Sequence, residues 1–422
     1  MAKVHFMGIA GSGASAAAAI AKADGFEVTG CDLALDGHNP KHMEGVDILA
    51  ITPAVTSFDP NNPELEEARK LGIEVLTWQQ FSGKYLLNEK FVIAVTGTHG
   101  KSTTTAMIAK LLEDANLDPT VLLGATLPEW KANHRAGKSK YFVIEADEAY
   151  DSFLNYRPDI SVVTNIEMDH PEYFKDLDAV KRSFEKFLLQ TKSTVVANIS
   201  DPNIADVIKV VMKTPNNQLS SDRSTFVQFL DYSKNEINFP LKLPGDFNKL
   251  NAAAAFQVGL LLNINPEVIK ESLSNLTGVG RRFEKIGTYK GREVYSDFGH
   301  HPTEVKTTME AAREKFPDKY IWLIFQPHMF SRTKALFKEF VEVLKHLPVN
   351  QVLIMDIYPS REVDTGSVSS KELVDAVDNN KVDYISDVEE LKEILNKEIR
   401  PGDIIFFMGA GDIDKIAREL LS

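Results

Sequence analysis

The run Gly97-Thr98-His99-Gly100-Lys101-Ser102, continuing into Thr103, Thr104 and Thr105, combines the residue types that bind a polyphosphate. Glycines let the main chain wrap closely round an anion, and the free amides and positive dipole end of a following helix point at it. Lys101 is placed to reach the outer phosphates, and the Ser102 hydroxyl to ligate Mg²⁺. The common phosphate loop has about four residues between its glycines. Here only Thr98 and His99 separate Gly97 from Gly100, so the loop is a variant. A chance Gly-Lys-Ser in a glycine-rich turn is the competing reading. The apolar run before the loop and the helix-forming run after it argue against that.

Two acidic clusters follow, Glu145-Ala146-Asp147-Glu148 and Glu167-Met168-Asp169-His170, each just after a strand-like apolar run. Magnesium shared with phosphates takes only one or two protein carboxylates, and ligands of open parallel sheets collect at the carboxyl ends of strands. Each cluster alone reads as a solvated loop; beside a phosphate loop they read as a metal–nucleotide centre. A second glycine loop, Gly8-Ile9-Ala10-Gly11-Ser12-Gly13, lies near the start, with Ala16 beyond it and Asp32 after the next strand. This matches a dinucleotide fingerprint, in which the acid binds a ribose hydroxyl. A nicotinamide- or flavin-dependent oxidoreductase is therefore one reading, and a seat for a nucleotide-sugar diphosphate is another. For His300 and His301 a packed, hydrogen-bonded side chain is the competing reading, and for Arg281 and Arg282 a surface ion pair; the sequence does not say which arginine points inward.

These groups need a scaffold of alternating strands and helices. Strands are expected at 4–8, 26–31, 46–51 and 73–76, then 91–95, 141–145 and 160–164, then 320–325, 351–355 and 404–408. Helices are expected at 14–23, 63–71, 103–115, 251–262, 303–315 and 334–344. The polar stretch 213–238 carries no assignment. Alternation of this kind implies parallel sheets. The fold class is α/β, with three domains in series: a Rossmann-like domain at 1–88, a P-loop ATPase domain at 89–279 and a second Rossmann-like domain at 280–422.

The 422 residues carry a net charge of −13, which argues against a non-specific nucleic-acid binder. The only cysteine, Cys31, excludes an internal disulfide and a cluster of thiolates, and no chemistry is assigned to it. The start of the chain lacks signal-peptide features, and no apolar run approaches the roughly 18 residues that cross a bilayer. A soluble cytoplasmic protein is expected.

The motifs resemble those of the Mur ligases, the ATP-dependent amino-acid ligases of peptidoglycan synthesis, over essentially the whole chain. GTHGKSTTT is similar to the family's hallmark loop and accounts for the short glycine spacing. EADE followed by DSFL, then VTNIEMDH, resembles its central metal motifs, and PGDFNKLNAAAAF its adenine-side motif, with Phe247 where histidine is usual. GVGRRFEKIG, SDFGHHPTEV, QPHMFSRT and GDIIFFMGAGDI resemble most closely the members that join L-alanine to UDP-N-acetylmuramate. GCD and EADEAYDSF lean toward members that recycle a murein tripeptide.

The resemblance implies an acyl-phosphate mechanism with ATP and Mg²⁺, in which a third domain closes over the amino acid. It implies Lys101 on the γ-phosphate within a loop of Gly97 to Thr103, and Ser102, Glu145 and His170 on magnesium. Asn248 and Asn251 would face adenine, with Arg282 near the phosphates or ribose and Asp297 near the ribose. His301 and Arg332 would be substrate-side, and Gly11, Ser12, Gly13 and Asp32 would hold the UDP portion. A monomer or weak dimer is expected. The chain departs from the pattern at Ser296-Asp297-Phe298, at Met329, and in the short segment of 13 residues between Asp32 and Val46.

Overall fold

The computed structural model describes residues 1–35, 37–53, 55, 59–214 and 227–421. Part of the unassigned polar stretch, 215–226, lies outside them. The chain forms two compact units. The first comprises Met1–Glu167, Leu177–Pro240 and Leu250–Leu276; the second comprises Met168–Asp176, Leu241–Lys249 and Thr277–Ser422.

The first unit holds two sheets. One is parallel and four-stranded, in the order Glu27–Cys31, Lys3–Met7, Ile48–Ile51, Glu74–Thr77. The helix Ser12–Ala23 packs by a face of small side chains, with Ala14, Ala16, Ala17 and Ala21 buried. The helix Pro63–Leu71 is started by Asn62, whose side chain accepts from Glu64 N, and stopped by Gly72 in the left-handed region. The other sheet has seven strands, ordered Gln228–Asp231, Thr194–Ala197, Ile160–Val163, Phe91–Thr96, Tyr141–Glu145, Thr120–Leu127, Ala132–Arg135. Only the last of these runs antiparallel to its neighbour. Its central strands are continuous apolar runs because both faces are covered. The chain leaves Phe91–Thr96 through the phosphate loop into the helix Lys101–Asp114, and the strands on either side of Phe91–Thr96 are reached by later crossovers. The loop therefore stands at a topological switch point, where open α/β sheets bind ligands.

The second unit is built on a six-stranded sheet, ordered Glu284–Tyr289, Arg292–Asp297, Ile404–Met408, Ile321–Phe325, Gln351–Ile354, Val382–Tyr384. The first two strands form an antiparallel hairpin and the rest pair in parallel. Helices cover both faces, so two apolar clusters form, one around Phe325, Phe340 and Phe406 and the other around Trp322, Ile324 and Phe407.

One expected element is corrected. The helix expected at 334–344 is two helices, Phe330–Ala335 and Phe337–His346, because Leu336 at φ −106° and ψ 23° leaves the helical region. The apolar helix expected at 251–262 begins earlier and spans Asp246–Leu261.

Candidate active site

The phosphate loop is fixed by its own sheet. Gly97 has φ +134°, and a Cβ there would lie 2.1 Å from Thr164 Oγ1, so only glycine fits. His99 N donates to Asn165 Oδ1 at 2.8 Å, Thr98 N donates to Asn165 O, and the Asn165 amide donates to His99 O at 3.0 Å. Gly100, at φ +81°, precedes the helix, and Asn251 Oδ1 lies against it. The loop is thus held by the end of the neighbouring strand, leaving the first amides of Lys101–Asp114 to face an anion.

Lys101 Nζ donates to Gly97 O at 2.7 Å and to Glu148 Oε2 at 2.9 Å. Burial opposes its charge, but the carboxylates of Glu148, Asp147 and Glu145 hold its pKa above the usual lysine value. Ser102 Oγ donates to Glu145 Oε1 at 3.0 Å, and Gly124 N donates to Oε2 of the same carboxylate at 2.8 Å. The fold therefore brings together Lys101, Ser102 and Glu145, all expected from the sequence, and adds Glu148, Gly124 and Asn165. Asn165 stood in a quoted motif without a role, and Gly124 gave no signal at all. The hard oxygen donors Ser102 and Glu145 suit Mg²⁺.

At the first glycine loop, Ala10 N donates to Asp32 Oδ2 at 3.1 Å and Ala34 N to Oδ1 at 3.0 Å, so the carboxylate of Asp32 braces the turn beside it. Gly11 N donates to Gly8 O, and Ser12 O accepts from Asn133. A Cβ on Gly13 would lie 2.4 Å from the ring of Trp78, so this glycine is required by packing. That contact could not be read from the fingerprint.

In the second unit, Arg332 is 2% exposed and its Nε donates to Asp169 Oδ1 at 2.8 Å. Burial alone would raise the pKa of Asp169; the Arg332 guanidinium holds it well below the usual range. His170 adopts φ +53° and its Nδ1 is 3.0 Å from Glu172. His301 caps the helix Pro302–Lys315 in a reciprocal arrangement with Glu304, and its Nε2 lies 3.1 Å from Met168 O. His300, next to it, is pushed down to about 3 by burial and by Arg332, so it is neutral. Asp297 is pushed up to about 6 by burial, against the pull of Arg282, and accepts from Phe283 N and Gly299 N. Asn248 donates to Pro244 O at 2.7 Å. Both arginines lie over the Phe298 ring; Arg281 also donates to Gly409 O and Gly411 O, whereas Arg282 is 3.9 Å from Glu304. Arg281 therefore ties down the loop at Gly409–Gly411.

Three family profiles match in series: the Mur ligase family catalytic domain over residues 3–90, the Mur ligase middle domain over 95–259, and the Mur ligase glutamate ligase domain over 281–411. The UDP-N-acetylmuramate–L-alanine ligase of Clostridium tetani is 37% identical over 98% of this chain and 96% of its own length. The enzyme of the same name from Acetivibrio thermocellus is 38% identical, covering 99% and 95%. Among solved structures, the UDP-N-acetylmuramate-alanine ligase of Thermotoga maritima aligns with a TM-score of 0.78 and 25% identity, covering 100% of this chain and 98% of that one. A murein peptide ligase from Psychrobacter arcticus shares the fold at a TM-score of 0.68.

Proposed function

This chain belongs to the Mur ligase family, and from that premise we propose that it joins the carboxylate of UDP-N-acetylmuramate to L-alanine at the expense of ATP, in peptidoglycan synthesis. The observation that carries the reading is similarity along the whole chain to ligases of that name, together with Lys101, Ser102 and Glu145 gathered at one phosphate loop. The nicotinamide-dependent reading of the first glycine loop is not retained, because it leaves this second loop without a task.

A carboxylate and an amine do not condense unaided in water. Phosphoryl transfer to the carboxylate makes an acyl phosphate, and attack by the amine then expels phosphate. The protein's part is positioning and charge stabilisation. The loop amides and Lys101 hold the transferred phosphoryl. Ser102 and Glu145 would hold Mg²⁺, with His170 a further ligand, and the ion supplies charge neutralisation when bound. Asn248, Asn251, Arg282 and Asp297 are assigned to the nucleotide, His301 and Arg332 to the substrate side, and Gly11, Ser12, Gly13 and Asp32 to the UDP portion. We place the enzyme in the cytoplasm as a monomer or weak dimer acting on small molecules. Among the described residues no helix is long and apolar enough to cross a membrane, and the net charge of −13 argues against a nucleic-acid partner.

Release of phosphate should require UDP-N-acetylmuramate and L-alanine together. ATP hydrolysis indifferent to both would sink the proposal, and turnover with a murein tripeptide in place of alanine would redirect it to recycling. Glu145→Gln should raise the Mg²⁺ concentration for half-maximal turnover about 10- to 100-fold. An unchanged Mg²⁺ dependence would remove Glu145 from the metal site.

A further inference from the structure

Away from the phosphate loop, four side chains that share no sequence motif converge inside the first unit. His5 comes from the middle of Lys3–Met7, Cys31 from the end of Glu27–Cys31, His42 from the short turn Pro40–Met43, and Glu64 from the start of Pro63–Leu71. One ligand atom from each lies within 4.8 Å of all the others. Cys31 Sγ is 3.1 Å from Glu64 Oε2, His42 Nδ1 is 2.6 Å from Glu64 Oε1, and His5 Nε2 is 3.8 Å from Glu64 Oε2. Glu64 is 0% exposed, Cys31 1% and His5 2%. His38 Nδ1 stands at the margin, 3.2 Å from Cys31 Sγ.

Two further observations point to a ligand. His5 Nε2 is buried without a hydrogen-bond partner and faces the cluster. The other nitrogen of that ring is 2.8 Å from Thr29 Oγ1, the kind of outer contact that fixes the orientation of a metal-binding imidazole. The main chain adds a brace, with Asn39 N donating to Glu64 Oε1 at 2.7 Å.

We propose that His5, Cys31, His42 and Glu64 form a structural binding site for one divalent transition-metal ion, best suited to Zn²⁺. Two imidazoles, a thiolate and a carboxylate are a zinc donor set. A tetrahedral ion with bonds of about 2.0–2.3 Å would re-space these ligand atoms, which already lie within 4.8 Å of one another. On binding, the Cys31 thiol gives its proton to solvent. The thiolate and the Glu64 carboxylate then balance the charge of the ion, so the buried centre is neutral. Without the ion a buried carboxylate must be compensated by hydrogen bonds alone, which is the costlier arrangement. The site would staple the short segment between Asp32 and Val46 to the sheet.

The test is cobalt substitution of the full chain, stripped with chelator and kept in excess Mg²⁺ to fill the nucleotide-side metal site. Co²⁺ should produce a thiolate-to-metal charge-transfer absorption that saturates at one equivalent and is displaced by Zn²⁺. Cys31 is the only cysteine, so such a band reports this site alone. Zn²⁺ should also raise the thermal midpoint. Cys31→Ser should abolish the band, and His42→Ala, altering a side chain 31% exposed and so tolerable to the fold, should weaken Co²⁺ affinity by at least about 100-fold. Absence of the band in the wild-type chain, or unchanged affinity in His42→Ala, would overturn the proposal.

Discussion

Replacing Lys101 by methionine should lower kcat by on the order of 10³-fold, the scale set by loss of one preorganised charge aimed at a developing anion. The effect has two possible origins, since Lys101 also neutralises Glu148, whose side chain is 2% exposed. Removing one member of a buried pair leaves the other uncompensated. Lys101→Arg separates the two. It keeps a positive charge for Glu148 but offers a planar fork where a compact ammonium is needed. The expected result is a chain that melts close to the wild type and still loses most of its kcat. Single-turnover phosphate transfer, with circular dichroism melting as the control, reads both quantities. A Lys101→Met enzyme within tenfold of wild type would take the lysine out of the transition state.

The largest stability effect is expected at Arg332. Its guanidinium and the Asp169 carboxylate are both buried and meet at 2.8 Å. Arg332→Met should cost about 3–5 kcal/mol, measured by urea unfolding, because Asp169 is left as a buried charge without its arginine. Adding Asp169→Leu should recover much of that loss. The pH dependence follows from the depressed native pKa of Asp169. A carboxylate with a lowered folded pKa contributes fully above its unfolded value, about 4, and the contribution is lost as pH falls through the folded value. Stability curves for wild type and Arg332→Met should therefore lie apart at neutral pH and converge in acid. A constant gap across that range would show that the arginine stabilises by packing alone.

Elements were legible where local chemistry decides them. Tyr141–Glu145 and Ile404–Met408 are apolar runs buried on both faces, and Pro63–Leu71 opens on an Asn-Pro signal and closes on glycine. The hairpin Glu284–Tyr289 and Arg292–Asp297 was missed because its outer strand is half exposed and rich in charge, so no apolar run marks it. The break at Leu336 was missed because the apolar spacing continues across it. The same division holds for the site. Gly97, Lys101 and Ser102 are neighbours in sequence and could be read together. Lys101 with Glu148, 47 positions apart, and Arg332 with Asp169, 163 apart, are pairings that only the crossovers of a folded sheet create. The cluster at His5, Cys31, His42 and Glu64 is of that second kind, and its spacing follows no ligand motif.

The second unit is not continuous in the chain: Met168–Asp176 and Leu241–Lys249 belong to it, although its sheet begins only at Glu284. Asp169 and the Met168 carbonyl that faces His301 are therefore made on the ribosome well before the residues they serve. During synthesis from the N-terminus, the segment Met168–Asp176 must wait, uncommitted, until the strands around Phe325 and Phe406 emerge. A fragment cut at 280, however tidy in sequence, would be released with Arg332 buried and its counter-charge on the other piece. The last third of this polypeptide is for that reason not a self-sufficient folding module, and its assembly is a late event that depends on chain already made.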